Sequence, residues 1–205
     1  MKEDFFHVID TEEKAYILGL LLTDGCVYDV DRVTLELKTG DRYVVDAFRD
    51  AVSPLRPVSE RATSCRIDMR SRAMVEDLAA LGVVPRKTFI ASAPHIEDDL
   101  LRHFWRGCFD GDGGITQQRI SISFCGALSL VQQCACEWAR VAGKEPRIYA
   151  QGNIWYTRLH GNNAADVLEW MYRDATIAIP RKKAYALQAR AHCRRKIYQD
   201  SPTDA

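Results

Sequence analysis

Tyr16-Ile17-Leu18-Gly19-Leu20-Leu21-Leu22-Thr23-Asp24-Gly25 returns later in the chain as Phe104-Trp105-Arg106-Gly107-Cys108-Phe109-Asp110-Gly111-Asp112-Gly113. Laying Gly19 on Gly107, an offset of 88, also lays Asp24 on Asp112 and Gly25 on Gly113. Each stretch is an apolar helical run with a glycine inside it, and an internal helical glycine costs about 1 kcal/mol relative to alanine. Close approach of two helices, which a missing side chain permits, is the compensation expected at Gly19 and Gly107. Packing the two runs through these glycines brings their C-terminal ends together, with Asp24 and Asp112 side by side. Each acid is followed by a glycine suited to a left-handed stop. Carboxylates at helix C-termini oppose the helix dipole, and two together are worse unless a cation joins them. Carboxylates and backbone carbonyls form the hard-oxygen set that Mg²⁺ prefers.

Outward from these runs the repetition continues. Alternating segments follow each one, Val33-Thr34-Leu35-Glu36-Leu37 and Ile120-Ser121-Ile122-Ser123-Phe124. Helical stretches are expected near 41–52 and 126–142, strand pairs near 56–70 and 146–160, and further helices near 71–82 and 161–174. Each half then reaches a Pro-Arg-Lys triplet, Pro85-Arg86-Lys87 and Pro180-Arg181-Lys182. A last helix near 181–198 starts after Pro180, a favoured first-turn position. The periods of 3.6 and 2 interleave as helix, two strands, helix, two strands, helix in each half. The fold class is therefore α+β: a pseudo-two-fold pair of αββαββα repeats, residues 1–94 and 95–205, with two antiparallel sheets and the motif helices at the centre.

The 205 residues carry 28 Lys and Arg against 28 Asp and Glu, a net charge of zero that argues against a nucleic-acid partner. The distribution argues otherwise. Residues 1–102 hold 14 basic and 19 acidic residues, a net of −5, and residues 103–205 hold 14 and 9, a net of +5. Residues 139–198 alone hold 12 against 4, or +8. Local basic surface, not whole-chain charge, is what phosphate binding requires. The longest apolar run, Ile17 to Leu22, is far short of the roughly 20 residues that span a bilayer. The acidic start Met1-Lys2-Glu3-Asp4 leads into no long apolar region, so no secretory signal is expected. Seven cysteines without a CxxC pair read as reduced, small core residues in an intracellular compartment, cytoplasmic or organellar.

The two motifs resemble the signature helices of LAGLIDADG homing endonucleases in the single-chain, two-motif form, over about residues 12–190. Leu22 stands where the family usually has an acid, and Asp110 keeps that acid in the second motif. The resemblance implies a monomeric Mg²⁺-dependent endonuclease that cuts both strands of a long, specific DNA site across the minor groove, leaving short 3′ overhangs. It implies that Asp24 and Asp112 bind metal with the backbone carbonyls of Thr23 and Gly111. It implies that Lys87 and Lys182 assist the two active sites, Lys183 being the alternative to its neighbour. The sheets would then form a saddle over DNA. Strand alternation points Val33, Leu35, Leu37, Cys65, Ile67, Met69, Ile120, Ile122, Phe124, Ile148, Ala150, Trp155 and Leu159 inward. It leaves Arg32, Thr34, Glu36, Lys38, Ser64, Arg66, Asp68 and Arg70 outward in the first half. In the second half the outward set is Gln117, Arg119, Ser121, Ser123, Arg147, Tyr149, Gln151, Tyr156, Arg158 and His160. Such a mixture suits major-groove reading: Arg to guanine, Gln to adenine, Glu36 and Asp68 to cytosine. Arg190, Arg194, Arg195 and Lys196 fit either phosphate contact or a solvated helix end.

Rival readings fall on the residues. An EF-hand beginning at Asp110 needs Gly where Ile115 stands and Glu where Ser121 stands. An HNH nuclease lacks a second suitably spaced His beside His160-Gly161-Asn162-Asn163, and His95 and His103 read as surface or core residues. An intein is disfavoured by the Met1-Lys2 start and the Ser201 to Ala205 end. The same fold without catalysis, as an intron maturase or transcription regulator, is the alternative; retention of both acids favours the enzyme.

Overall fold

A computed structural model describes residues 1–116 and 120–199, the side chains of 190–199 excepted. The first motif forms α1 (Glu12–Thr23), whose start is capped by the Thr11 hydroxyl accepting from the Lys14 amide at 3.3 Å. It runs directly into β1 (Gly25–Tyr28) and β2 (Arg32–Lys38). Then come α2 (Arg42–Val52), β3 (Ser59–Glu60), β4 (Ser64–Arg70) and α3 (Arg72–Ala80), the last capped by the Ser71 hydroxyl accepting from the Met74 amide. The second motif forms α4 (Asp98–Asp112) and repeats the series as β5 (Gly113–Thr116), β6 (Ser121–Gly126), α5 (Leu128–Ala142), β7 (Arg147–Gln151), β8 (Ile154–His160) and α6 (Gly161–Tyr172). A final helix, α7 (Pro180–Gln199), begins at the proline the sequence singles out.

Two four-stranded antiparallel sheets result, in the orders β1-β2-β4-β3 and β5-β6-β8-β7. Their identical strand order is the internal two-fold that the repeated motif predicts. Leu35, Ile67 and Met69 in one sheet, and Ile122 and Phe124 in the other, face a shared core with α1, α4 and the flanking helices. Among the described residues no helix is long and apolar enough to cross a membrane.

Helices α1 and α4 pack against each other at backbone contact. A Cβ on Gly19 would lie 2.1 Å from the Phe104 carbonyl oxygen, and one on Gly107 would lie 2.0 Å from that of Tyr16. Both glycines therefore make the helix approach the sequence requires of them. Gly25 and Gly113 differ from expectation. Neither has positive φ; Gly113 is extended at φ −87° and ψ 145°. The chain passes from each motif helix straight into a strand without a left-handed turn. A Cβ on Gly113 would lie 2.3 Å from the Phe109 carbonyl oxygen, so here too close approach is what demands glycine.

Several further expectations are corrected. Thr34 and Ser121, assigned to open outer faces, are only 3% and 8% exposed. Thr34 is covered because its hydroxyl donates to Asp68 at 2.7 Å beneath the Arg66 side chain. Ser121 is a small residue flanked in register by Thr116 and His160. Ala150, assigned inward, is exposed because β7 is the edge strand of its sheet. Of the six cysteines with described side chains, all free, Cys65, Cys108 and Cys134 are core residues, whereas Cys26 and Cys125 are half-buried and Cys136 is exposed.

Gly107→Ala should cost roughly 3 kcal/mol of unfolding free energy in chemical denaturation, the upper range of overpacking, because the atom it meets is backbone. A loss below about 0.5 kcal/mol, the size of an ordinary surface change, would show that the helices separate freely.

Candidate active site between the motif helices

The glycine contact carries α1 and α4 side by side to their ends. A Cβ on Gly111 would lie 2.1 Å from Thr23 Oγ1 and 3.3 Å from the Asp24 carboxyl carbon, so the two acidic ends adjoin. Asp24 is open to solvent and Asp112 is half-buried. Neither carboxylate makes a hydrogen bond or ion pair among the described residues. Solvent reaches Asp24, but the packed helix ends strip part of its hydration, and this, followed by the Asp112 charge, pushes it up to about 6. Desolvation likewise raises Asp112, against the pull of Lys87 and Lys182.

The two lysines of the Pro-Arg-Lys triplets converge here. Lys87 is 8% exposed and donates to the Gly25 carbonyl. Lys182 is 5% exposed and donates to the carbonyls of Phe109 at 2.6 Å, Asp110 at 2.9 Å and Gly113 at 2.7 Å. Its three N–H groups are thus all engaged on the end of α4, the end where a cation best complements the helix dipole. Burial lowers both lysines, Lys182 to about 8 with Asp110 holding it up. Lys183 points elsewhere, to the Ala175 carbonyl at 2.5 Å, so the structure places Lys182 rather than Lys183 beside the acids.

Two recesses open on this centre, and each combines the halves. One, of about 1050 Å³, is lined by Asp24, Glu36, Lys38, Gly111, Arg181 and Lys182. The other, of about 250 Å³, is lined by Thr23, Lys87, Asp112, Cys125 and Tyr156. Each repeat's lysine therefore shares a recess with the other repeat's aspartate.

The donor set suits a hard divalent cation. Two unpartnered carboxylates meet at two negative helix ends, and the lysine hydrogen bonds leave the carbonyls of Thr23 and Gly111 untouched. Among the described residues no group of three or more His, Cys, Asp or Glu side chains is arranged to hold a metal. A soft-ligand zinc site is thus absent among them, whereas Mg²⁺ takes one or two carboxylates and completes its shell with water and phosphate.

A buried network behind the acids is the part that sequence reading missed. Arg106, fully buried, donates to Glu12 at 2.7 Å and to the carbonyls of Met171 at 2.8 Å and Ile177 at 3.0 Å. Glu12 also accepts from the Thr176 amide at 2.8 Å. Asp110 accepts from Tyr16 at 2.7 Å, Tyr172 at 2.5 Å and the Ile179 amide at 2.7 Å. His103 joins the network through Arg106 at 2.9 Å and is pushed down to about 4 by burial and by that guanidinium, so it is neutral at pH 7. Together these groups fasten 175–179, the segment that delivers Lys182. The available signals were a charged residue inside an apolar helix and an acid retained in only one motif.

The outer sheet faces carry most of the other expected residues. Arg32, Glu36, Lys38, Ser64, Arg66, Asp68 and Arg70 lie on one face of the first sheet. Ser123, Arg147, Tyr149, Gln151, Tyr156, Arg158 and His160 lie on one face of the second. Glu36 and Asp68 are engaged within the protein: Asp68 accepts from Arg66 at 2.8 and 3.0 Å, and Glu36 accepts from Ser64 at 2.7 Å. Gln117 and Arg119, and the side chains of Arg190, Arg194, Arg195 and Lys196, lie outside the described residues.

No protein-family model matches the sequence, and no curated protein is significantly similar to it. Solved structures are similar in fold. The LAGLIDADG meganuclease I-AabMI bound to uncleaved DNA matches over 90% of this chain and 91% of its own, at 9% identity and TM-score 0.63. Full-length DUF199/WhiA from Thermatoga maritima matches over 99% of this chain and 66% of its own, at 15% identity and TM-score 0.60. I-SmaMI, bound to an uncleaved DNA target with calcium ions, matches over 93% and 97%, at 8% identity and TM-score 0.59. The chain has the fold of the single-chain LAGLIDADG homing endonucleases.

Raised acids make the protein lose stability as pH climbs through the weakly acidic range. The folded-state pKa of Asp24, about 6, lies above the ordinary 3.8, so stability falls as pH rises from about 4 through 6 and then levels. Asp24→Asn should therefore melt higher than wild type at pH 8 in a chelating buffer, with the gap closing toward pH 4. A variant that melts lower at pH 8 would mean that Asp24 has a stabilising partner.

Proposed function

We propose that this protein is a site-specific DNA endonuclease of the LAGLIDADG type that hydrolyses one phosphodiester in each strand of a long duplex target. The observation that carries this reading is the pair of unpartnered carboxylates at abutting helix ends, each sharing a recess with the lysine of the other repeat. The fold similarity to structures with DNA bound supports it.

Asp24 and Asp112, with the carbonyls of Thr23 and Gly111, are the groups to hold Mg²⁺. The ion supplies a more acidic bound water and a Lewis acid for the phosphate oxygens. The protein's own residues do the rest. The glycine contact fixes the separation of the two acids, and with it the spacing of the two cuts. Lys87 spends one N–H on Gly25 and keeps donors for the recess of Asp112, where it can contact phosphate or the attacking water. Lys182 has committed its N–H groups to carbonyls, so its contribution beside Asp24 is a fixed positive charge. The two sheets cover the duplex, and one chain supplies both halves, so the active species is a monomer.

Asp24→Asn and Asp112→Asn should each reduce double-strand cleavage at least a hundredfold while keeping specific binding, scored on sites selected from a randomised duplex library in Mg²⁺. Wild-type double-strand cutting by either variant would remove the metal assignment. Binding by the wild type in Mg²⁺ with no cut at any selected site would instead indicate a nucleic-acid binder without catalysis.

A further inference from the structure

The two sheets have the same strand order but differ in the acids on their outer faces: the first carries Glu36 and Asp68 among Arg32, Lys38, Arg66 and Arg70, and the second carries Arg147 and Arg158 with no acid. Register makes the comparison residue by residue. Gly25 pairs with Leu35 and Leu35 with Ile67; in the second sheet Gly113 pairs with Phe124 and Phe124 with Thr157. Glu36 therefore corresponds to Cys125, Arg66 to Tyr156 and Asp68 to Arg158. At the two places where the first face carries a carboxylate, the second carries a thiol and a guanidinium. Strands β5 to β8 contain no Asp or Glu, whereas β2, β3 and β4 contain Glu36, Glu60 and Asp68.

The partners of the arginines follow from this. On the first face Arg66 is held through Nε and Nη2 on Asp68, at 3.0 and 2.8 Å, with Glu36 3.8 Å away. Arg70 pairs with Asp31 at 3.2 Å and Arg61 with Glu36 at 3.6 Å, whereas Arg32 and Lys38 at the two ends of β2 make no ion pair among the described residues. On the second face Arg147 and Arg158 have no carboxylate partner among the described residues. They lie directly opposite each other in register, and Arg158 stands 5.8 Å over Tyr149, itself stacked on Tyr156 at 5.6 Å. Two adjacent unpaired guanidiniums repel unless an anion is shared between them.

We infer that the two halves of the DNA interface divide the work: the second sheet anchors the duplex through phosphates, and the first sheet discriminates bases. This rests on the DNA-binding reading above and deepens it. Unpaired Arg147 and Arg158 gain fully from phosphate contact and release counterions, a term blind to sequence. Arg66 gains little from phosphate, because Asp68 and Glu36 already neutralise it and would repel the backbone. An arginine held by its own carboxylate is instead pre-oriented, so it presents its free edge to a guanine with little rotamer entropy left to lose.

The test uses the full chain with Ca²⁺ in place of Mg²⁺ and two probes. A mixed-sequence duplex titrated from 50 to 200 mM KCl gives the salt slope, and recovery of bound duplexes from a randomised library gives base preference. Arg147→Gln/Arg158→Gln should flatten the slope by about 1.8, two phosphates at roughly 0.9 each, and leave base preference unchanged. Arg147→Lys/Arg158→Lys should restore the slope. Arg66→Gln should leave the slope unchanged and lose roughly tenfold discrimination at one base pair. Asp68→Asn should steepen the slope, since a freed Arg66 turns to phosphate. Equal flattening by Arg66→Gln, or altered base preference with an intact slope in Arg147→Gln/Arg158→Gln, would overturn the division while leaving DNA binding standing. Failure of the wild type to bind either probe would overturn the DNA reading itself. Melting temperatures near wild type confirm that each variant is folded.

Discussion

Everything in this fold depends on two backbones touching. With Gly19 against the Phe104 carbonyl and Gly107 against that of Tyr16, α1 and α4 approach as closely as helices can, and nothing larger than hydrogen fits at either place. The contact sits in the middle of two apolar runs whose neighbours are almost wholly buried, so the hydrophobic gain on either side holds a geometry that the glycines alone disfavour. Fixing the middles fixes the ends. Two carboxylates then stand together at two negative helix termini, an arrangement that costs free energy in the isolated protein and has value only when something positive arrives. The raised pKa values of Asp24 and Asp112 express that stored cost. Local instability held in place by a rigid core is the physical signature of a site rather than of a scaffold.

The symmetry is one of backbone more than of chemistry. Asp110 and Leu22 occupy equivalent places, and the consequences spread outward from that difference. Asp110 takes three hydrogen bonds and anchors the approach to Lys182, while Leu22 packs against the recess of Lys87. Arg181 is likewise tied down, to the buried Asp41 at 2.9 Å, whereas its counterpart Arg86 is exposed in a left-handed conformation at φ 58°. One lysine is thus buttressed on every side and saturated with carbonyls; the other keeps free donors. The two recesses therefore present different groups, even though the backbone around them repeats.

The sequence exposed the architecture because the architecture is written in local patterns. Glycine spacing, helical and strand periodicity and the Pro-Arg-Lys triplets each depend on a few neighbouring residues, and all of them repeat. The position of Lys182 over Lys183 was not legible, since a one-residue step along α7 turns the side chain by about 100° and only packing decides which faces in. The Arg106 network was hidden for a related reason: its partners, Glu12, Met171 and Ile177, lie about 65 to 94 residues away and belong to elements whose juxtaposition only the fold creates. Thr34 shows the limit of alternation. It does point to the outer face, but a charged cluster lies over it, and the pattern of polar and apolar letters carries no information about what covers a polar face.

Those same charged clusters account for how a chain of zero net charge distributes its charge. On the first sheet the acids do not stand apart as repulsive surface. They hold an arginine between them, Glu36 from across the strands and Asp68 from two residues along β4, where Thr34 joins it. Such pairs add little to stability at an exposed face, about 0 to 1 kcal/mol each, so their value lies in orientation rather than in folding energy. The second sheet dispenses with acids, and its Arg147 and Arg158 make no ion pair among the described residues. The net charge of zero is the sum of an acidic first half, at −5, and a basic second half, at +5, and the total conceals both.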